Sequence, residues 1–275
     1  MDKQILRIRI YQPSAQYRIP FSFQRRFTYP LPPLATVKGL LCNLLGIKTD
    51  ASCEYKSLFS GLSVAVYGRF ESIVKDYTWF RNLSKESHIN KFHTATNRVH
   101  DFTSQHPGGQ MPVIVDSLNE NKVIIYFSHC DNAKLREVEE CFRNPEKRNG
   151  IVHLGRAEDW LVIEEIRQIT PEEKTVRRCH YFAWLPEPSF CDETYLKGTL
   201  AQYEAFFNKA PGNCLRMPLF YRISEDNQRL FETYYTAKLY EGGVFPETCK
   251  FLIDRLDDET ELPLIFTKVR LQNGI

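Results

Sequence analysis

The sequence predicts an α+β fold. An amino-terminal segment of period two leads straight into an amphipathic helix, and a second strand–helix–strand series closes just before Pro171. A long polar excursion separates the two halves. The order strand, helix, strand, excursion, strand, helix, strand is the β-α-β-β-α-β plan of a ferredoxin-like, RRM-type domain over residues 1–170. Residues 171–275 read as a β-rich region packed on it.

The first strand, 4–11, sets Ile5, Arg7, Arg9 and Tyr11 against Leu6, Ile8 and Ile10, giving one apolar face and one basic face. Pro30, Pro32 and Pro33 stop extended structure and preset a helix entry. Thr36 as N-cap and Pro33 as first helical residue are equally good starts. Val37, Leu40, Leu41, Leu44 and Leu45 form one helical stripe, and Gly46 closes it. Residues 61–70 alternate as a second strand, and the pattern runs on weakly through Ile73, Val74, Tyr77 and Trp79. Val113–Leu118 and Lys122–Ser128 read as two strands about a turn at Asn119–Glu120–Asn121. Leu135, Val138 and Phe142 make a stripe on a helix over 132–142. The turn Leu154–Gly155–Arg156 precedes a last strand, Trp160–Ile169. Pro171 and the charged residues after it mark the boundary. Beyond it, Tyr195–Phe207 reads as a short helix in β-leaning sequence.

Charge is divided unevenly. Residues 1–110 hold fifteen Lys/Arg and seven Asp/Glu, and the remainder holds twenty-one and twenty-seven, so +8 faces −6. Between Asp2 and Asp50 there is no carboxylate, yet Lys3, Arg7, Arg9, Arg18, Arg25, Arg26, Lys38 and Lys48 are interleaved with Tyr11, Tyr17, Phe21, Phe23, Phe27 and Tyr29. Guanidinium groups neutralise phosphates and rings accept unstacked bases, so the pattern suits single-stranded nucleic acid. It predicts a continuous cationic groove on the sheet. A solvated basic face beside a core strand has the same composition.

No run of eighteen apolar residues exists, and the amino end alternates from the start without an apolar leader, which predicts a cytoplasmic protein with no membrane span. The eight cysteines form no C-x-x-C pair. His88, His93, His100 and His106 stand five, seven and six residues apart, outside any zinc spacing, so no metal is predicted. Phosphate-loop, dinucleotide and nucleophile-elbow motifs are absent, and no cofactor is predicted.

Arg18, Arg25 and Arg26 lie in a proline- and aromatic-rich loop with no local carboxylate, which suits phosphate or a base edge. Thr36 and Lys38 stand at a helix start, where free N–H groups attract phosphate; the same residues could merely begin a core helix. In the excursion, Trp79, Arg81, Lys91, His93, Asn97 and Arg98 mix rings with hydrogen-bonding groups, as suits splayed RNA or a plain surface loop. Arg156, beside Gly155, is placed to meet a phosphate, although the glycine could equally serve a tight turn.

The segment 18–46, with Tyr29–Pro30–Leu31–Pro32–Pro33 followed by Thr36–Val37–Lys38–Gly39–Leu40–Leu41, resembles the fifth Cas protein family of the RAMP superfamily, and Leu154–Gly155–Arg156 matches its later turn. The match covers the first 170 residues in order and spacing, which are nearest to the type I-B branch. The resemblance implies a ferredoxin-like fold with a β-hairpin thumb inserted at about 76–112. It implies a subunit of a type I Cascade complex, an antiviral ribonucleoprotein, that caps the 5′ handle of the CRISPR RNA. Its partners would be that crRNA, the backbone and large subunits, and target DNA near the protospacer-adjacent motif. Site residues expected on this basis are Arg18, Arg25, Arg26, Tyr29, Thr36, Lys38, Trp79, Arg81, Lys91, His93, Asn97, Arg98 and Arg156, with no catalytic residue.

One branch of that family cleaves repeat RNA without metal through a Tyr/Lys/His cluster, by acid–base transfer at the 2′-hydroxyl. Here the corresponding strand offers His129 and, apart from it, Lys122, with no adjacent Lys–His pair. A metal-independent endoribonuclease, using His129 or His93, is the alternative to a binding subunit.

Overall fold

The alternating amino end forms β1 (Ile5–Ala15), followed by three two-residue strands, β2 (Tyr17–Arg18), β3 (Arg25–Arg26) and β4 (Thr28–Tyr29). The computed structural model describes residues 4–20, 22, 24–48, 52–82, 85–94, 99–100, 103–104, 109–223 and 229–270. Next come α1 (Leu34–Leu45), α2 (Cys53–Phe59), β5 (Leu62–Arg69), β6 (Ser72–Asn82), α3 (Lys85–Phe92), the short pair β7 (Val99–His100) and β8 (Thr103–Ser104), β9 (Gly109–His129), α4 (Asn132–Arg143) and β10 (Val162–Ile169). The rest comprises β11 (Glu172–Cys179), β12 (Phe182–Pro186), α5 (Leu200–Lys209), β13 (Asn213–Ile223), β14 (Arg229–Tyr240), β15 (Gly243–Arg255), β16 (Glu261–Pro263) and β17 (Thr267–Lys268).

The central sheet runs β10-β1-β9-β5, every pairing antiparallel. Counting only these four strands, that is the 4-1-3-2 order of the ferredoxin-like fold. Past β5 the sheet continues through β12, β14 and β13, and β17 also pairs with β5. On one face the stripe of α1 (Leu34, Val37, Leu40, Leu41 and Leu44) and Leu135, Val138 and Phe142 of α4 pack on Leu6, Ile8, Ile10, Ile125 and Phe127. Each such fully buried aliphatic contributes roughly 1.5–3 kcal/mol. Gly46 ends α1 in the left-handed region at φ 71°.

The opposite face is covered too. Ile5, Ala65, Tyr67, Ile124 and Tyr126 form a second core with Phe206 of α5 and with Phe251, Ile253 and Leu262 from the β11-β15-β16 sheet. The surface that an isolated RRM offers to RNA is therefore largely occupied by the carboxy-terminal part of the same chain.

Two local expectations are corrected. Residues 113–128 are not two strands about a turn: β9 is one 21-residue strand, and β1 pairs across the joint from Leu6↔Phe127 to Ala15↔Leu118. The turn-forming residues show only as a kink, with Glu120 at φ 51°. Thr36 is not the N-cap, since Pro33 holds that place and Thr36 N–H donates to its carbonyl at 2.9 Å.

β5 and β6 follow one line along β9. Leu62 faces His129 and Asn82 faces Gly109 on one constant register, with no ladder pair at Phe70 and Glu71. The distal eleven pairs, Ser72↔Asn119 to Asn82↔Gly109, leave the sheet as a hairpin. At ~3.3 Å per residue it is about 35 Å long. It stands between the second and third strands of the ferredoxin-like core.

Candidate nucleic-acid interface

The loop after β1 folds onto the root of this hairpin. β3 pairs parallel with β9, Arg25 opposite Ile114 and Arg26 opposite Val115. Buried Gln16 stitches the loop down, its Nε2 donating to the carbonyls of Arg26 at 2.9 Å and Asp116 at 3.1 Å. This brings together three of the expected arginines. Arg18 is exposed and donates to the Ser22 carbonyl at 3.1 Å. Arg25 is stacked 4.6 Å from the exposed ring of Phe27 and lies 3.4 Å from the Asp116 carboxylate. Burial, and then the neighbouring charge of Arg18, lower the pKa of Arg26 from its ordinary value.

Arg156 reaches the same root from the turn before β10. Gly155 has φ 114°, and a Cβ there would lie 2.8 Å from the Gln16 carbonyl, so the close approach requires glycine. Buried Asp159 accepts both the Gln16 N–H at 2.9 Å and the Arg156 guanidinium at 2.7 Å. Burial alone would lower the Arg156 pKa; its hydrogen bonds to Asp159 and the charges of Asp159, Glu158 and Asp76 raise it. Arg156 is thus a positioned, ion-paired cation with about a third of its side chain in solvent.

Along the hairpin, Tyr77 and Trp79 project from alternate positions of β6, 64% and 54% exposed, their rings edge to face with centroids 6.0 Å apart. Arg81 follows on the same strand. Lys91 and His93 are exposed at the end of α3, His93 at φ 59°. Asn97 and Arg98 lie outside the described residues. Of the crowded histidines, His88 is buried against Phe92.

The helix entry belongs to the interior, against expectation. Leu34 N–H donates to the Tyr235 hydroxyl at 3.0 Å, and the Pro32 carbonyl accepts from Trp184 Nε1 at 3.1 Å. Tyr29 is buried edge to face against Trp184, and burial pushes its pKa up to about 12. Lys38 is buried as well: its Nζ donates to the Leu219 carbonyl at 3.0 Å and sits 3.3 Å over the Phe220 ring. Tyr29 and Lys38 therefore dock the start of α1 on the carboxy-terminal strands, and Thr36, half-buried between them in sequence, spends its N–H on the Pro33 carbonyl and is not free for a phosphate.

The continuous cationic groove on β1 is likewise overturned. Arg7 is 1% exposed and bonded to Asp254 at 2.6 Å and Glu165 at 2.7 Å. Burial opposes its charge, and the hydrogen bonds to these two carboxylates outweigh it and raise the pKa. Arg9 lies 3.5 Å from Asp257 and 3.7 Å from Glu165. The acidic half of the chain has folded over the basic strand.

Among the described residues, the catalytic alternative finds no cluster at β9. His129 is buried, Nε2 donating to the Leu58 carbonyl at 2.9 Å while Nδ1 accepts the Asp131 N–H at 2.8 Å, so both nitrogens are engaged. Lys122 lies seven residues up the strand, about 23 Å away.

Sequence reasoning passed over Tyr77 and left Phe27 unassigned among alternating aromatics, although Tyr77 and Trp79 at i and i+2 share a strand face. Of the other rings in that series, Tyr17 is buried, donating to Gln12 at 2.6 Å, and Phe21 and Phe23 lie outside the described residues.

Sheet order and projecting hairpin define a ferredoxin-like protein with an inserted arm. Residues 5–181, more than half of the chain, match the family model described as CRISPR-associated protein (Cas_Cas5). The chain belongs to that family. A chain of a solved CRISPR RNA-guided surveillance complex is similar in fold, with TM-score 0.50 and 13% identity over 98% of this chain and 94% of that one. A crystallised Cas protein aligns at TM-score 0.41 and 12% identity over 88% and 95%, and a CRISPR protein from Archaeoglobus fulgidus at 0.37 and 10% over 96% and 99%. No curated protein matches the chain in sequence. Among the described residues, no helix is long and apolar enough to cross a membrane.

Proposed function

We propose that this chain is a non-catalytic RNA-binding subunit of a type I CRISPR interference (Cascade) complex, working in the cytoplasm and capping the 5′ handle of the crRNA. The carrying observation is the pairing of a 35 Å-class hairpin bearing exposed Tyr77 and Trp79 with four arginines at its root (about 35 Å from the strand rise). Arg18, Arg25, Arg26 and Arg156 meet phosphates there, and the rings of Phe27, Tyr77 and Trp79 take unstacked bases. Arg81, Lys91, His93, Asn97 and Arg98 extend the contact along the thumb. The rest of the surface docks the backbone and large subunits and lies near target DNA beside the protospacer-adjacent motif. Both ring nitrogens of His129 are engaged, which supports binding without cleavage.

Co-expression with a CRISPR array and the other subunits, followed by sequencing of the co-purified RNA, tests this. The expected result is one small RNA with a constant 5′ tag, whose retention is lost when Arg18, Arg25 and Arg26 become Gln. Repeat RNA incubated with the chain in EDTA is expected to stay intact. An RNA-free chain, or cleaved repeat RNA, overturns the proposal.

A further inference from the structure

The arginines of β1 meet two different kinds of carboxylate. Arg7 meets Asp254, which is 7% exposed and also accepts from the Tyr126 hydroxyl at 2.7 Å. That contact is part of the core. Arg9 meets Asp257, whose side chain is 68% exposed, at 3.5 Å. The other oxygen of the same carboxylate lies 3.5 Å from Arg167 of β10, so Asp257 bridges two guanidinium groups on adjacent strands. Glu165 serves Arg7, Arg9 and Arg167 together. Asp258, next in the chain, is held below the usual carboxylate range by hydrogen bonds from Thr260, with Arg69 of β5 adding to the effect.

Asp257 and Asp258 sit in the loop joining β15 to β16. This loop keeps its shape through its own bonds: Leu256 N–H donates to the Thr260 carbonyl at 2.9 Å, Glu259 N–H to the Leu256 carbonyl at 2.9 Å, and Thr260 N–H to the Asp258 carboxylate at 3.1 Å. Leu256 is buried and anchors it. Its ion pairs are not what folds it. Beside Arg9, one register row across three strands reads Tyr11, Lys122 and Arg69, an aromatic followed by two cations.

We propose that Arg9 and Arg167, with Arg69 beside them, form a second binding site for the phosphate backbone of single-stranded RNA, and that the Asp257–Asp258 loop occupies it as a displaceable phosphate mimic. A carboxylate bridging two guanidinium groups holds the place of a phosphate bridging the same pair. Exposed ion pairs of this length are weak and screened by salt. An RNA strand that brings several phosphates at once gains from counterion release, which a single loop cannot match. The row from Tyr11 to Arg69 continues the site with a ring and one more cation, Lys122.

The site shares with the proposed function the premise that RNA is the ligand, so the test separates the two. Anisotropy of a labelled single-stranded oligouridylate is followed against salt with the full-length chain. Asp257→Asn with Asp258→Asn is expected to tighten binding about fivefold at low salt and to steepen the log–log salt slope by about one. Arg9→Gln with Arg167→Gln is expected to abolish that gain when combined with the loop change. A loop variant with unchanged affinity and slope overturns the proposal, as does a gain that survives in the Arg9/Arg167 background. Tighter binding of polyglutamate in place of RNA overturns it too. Loss of binding in a Trp79→Ala variant, alongside an inert loop variant, leaves the thumb reading standing and sinks only this one. No binding by any variant sinks both.

Discussion

Two aromatic pairs of nearly the same geometry stand in opposite surroundings, one between β5 and β9 in the sheet and one on β6 in the hairpin. At the sheet, Tyr67 and Tyr126 meet edge to face at 5.9 Å and 83°, both buried, with the Tyr126 hydroxyl on Asp254 and the Tyr67 hydroxyl on the Pro263 carbonyl. On the hairpin, Tyr77 and Trp79 meet at 6.0 Å and 90° and stand in solvent. The difference lies in what arrives later in the chain. The carboxy-terminal sheet covers the first pair, and the described residues bring nothing over the second. A covered aromatic is a core residue; an uncovered pair on a projecting hairpin is the surface on which the proposed RNA contact rests.

Alkaline pH should break the covered half outright. Burial pushes Tyr29, Tyr195 and Tyr240 up to about 12, whereas an unfolded tyrosine ionises near ~10. Below that both states are neutral and stability does not depend on these groups. Between about pH 10 and 12 only the unfolded chain sheds the protons, so stability falls as pH rises. The midpoint of urea unfolding should be flat up to about pH 10 and drop steeply beyond it; a flat profile up to pH 12 removes the argument.

Next in size is Arg7→Ala. It strands Asp254 and part of Glu165 without their cation, at a cost of about 3–5 kcal/mol in chemical denaturation. A loss under about 1 kcal/mol would show that the carboxy-terminal sheet does not depend on this contact. The smallest effect belongs to the hairpin: Tyr77→Ala with Trp79→Ala should change global stability by less than about 0.5 kcal/mol, because neither ring is buried. The same double variant should weaken single-stranded RNA binding by about 1–3 kcal/mol per lost stack. A large loss of stability would mean that these rings belong to the core after all.

Much of this fold is legible in the sequence, because local pattern decides it. The α1 stripe, its proline entry and Gly46, the alternation of β1 and β5, and the β-α-β-β-α-β order all follow from period and punctuation. The long reach of the chain is what stays hidden. The basic face of β1 reads as open because no carboxylate lies near it in sequence, yet Asp254 arrives from 247 residues away. Tyr29 and Lys38 look exposed for the same reason, and strands β12 and β13 fold over them. Arg18, Arg25 and Arg26 are legible as one loop group and Arg156 as a separate turn residue; that Gln16 and Asp159 bring turn and loop to one root is not.

Because β9 runs as one strand from the hairpin, through the kink at Glu120, into the middle of the sheet between β1 and β5, the projection shares its backbone with the body. A load placed on its far end is carried by backbone into the strand that lies beneath α1 and α4, so whatever seizes the arm pulls on the core.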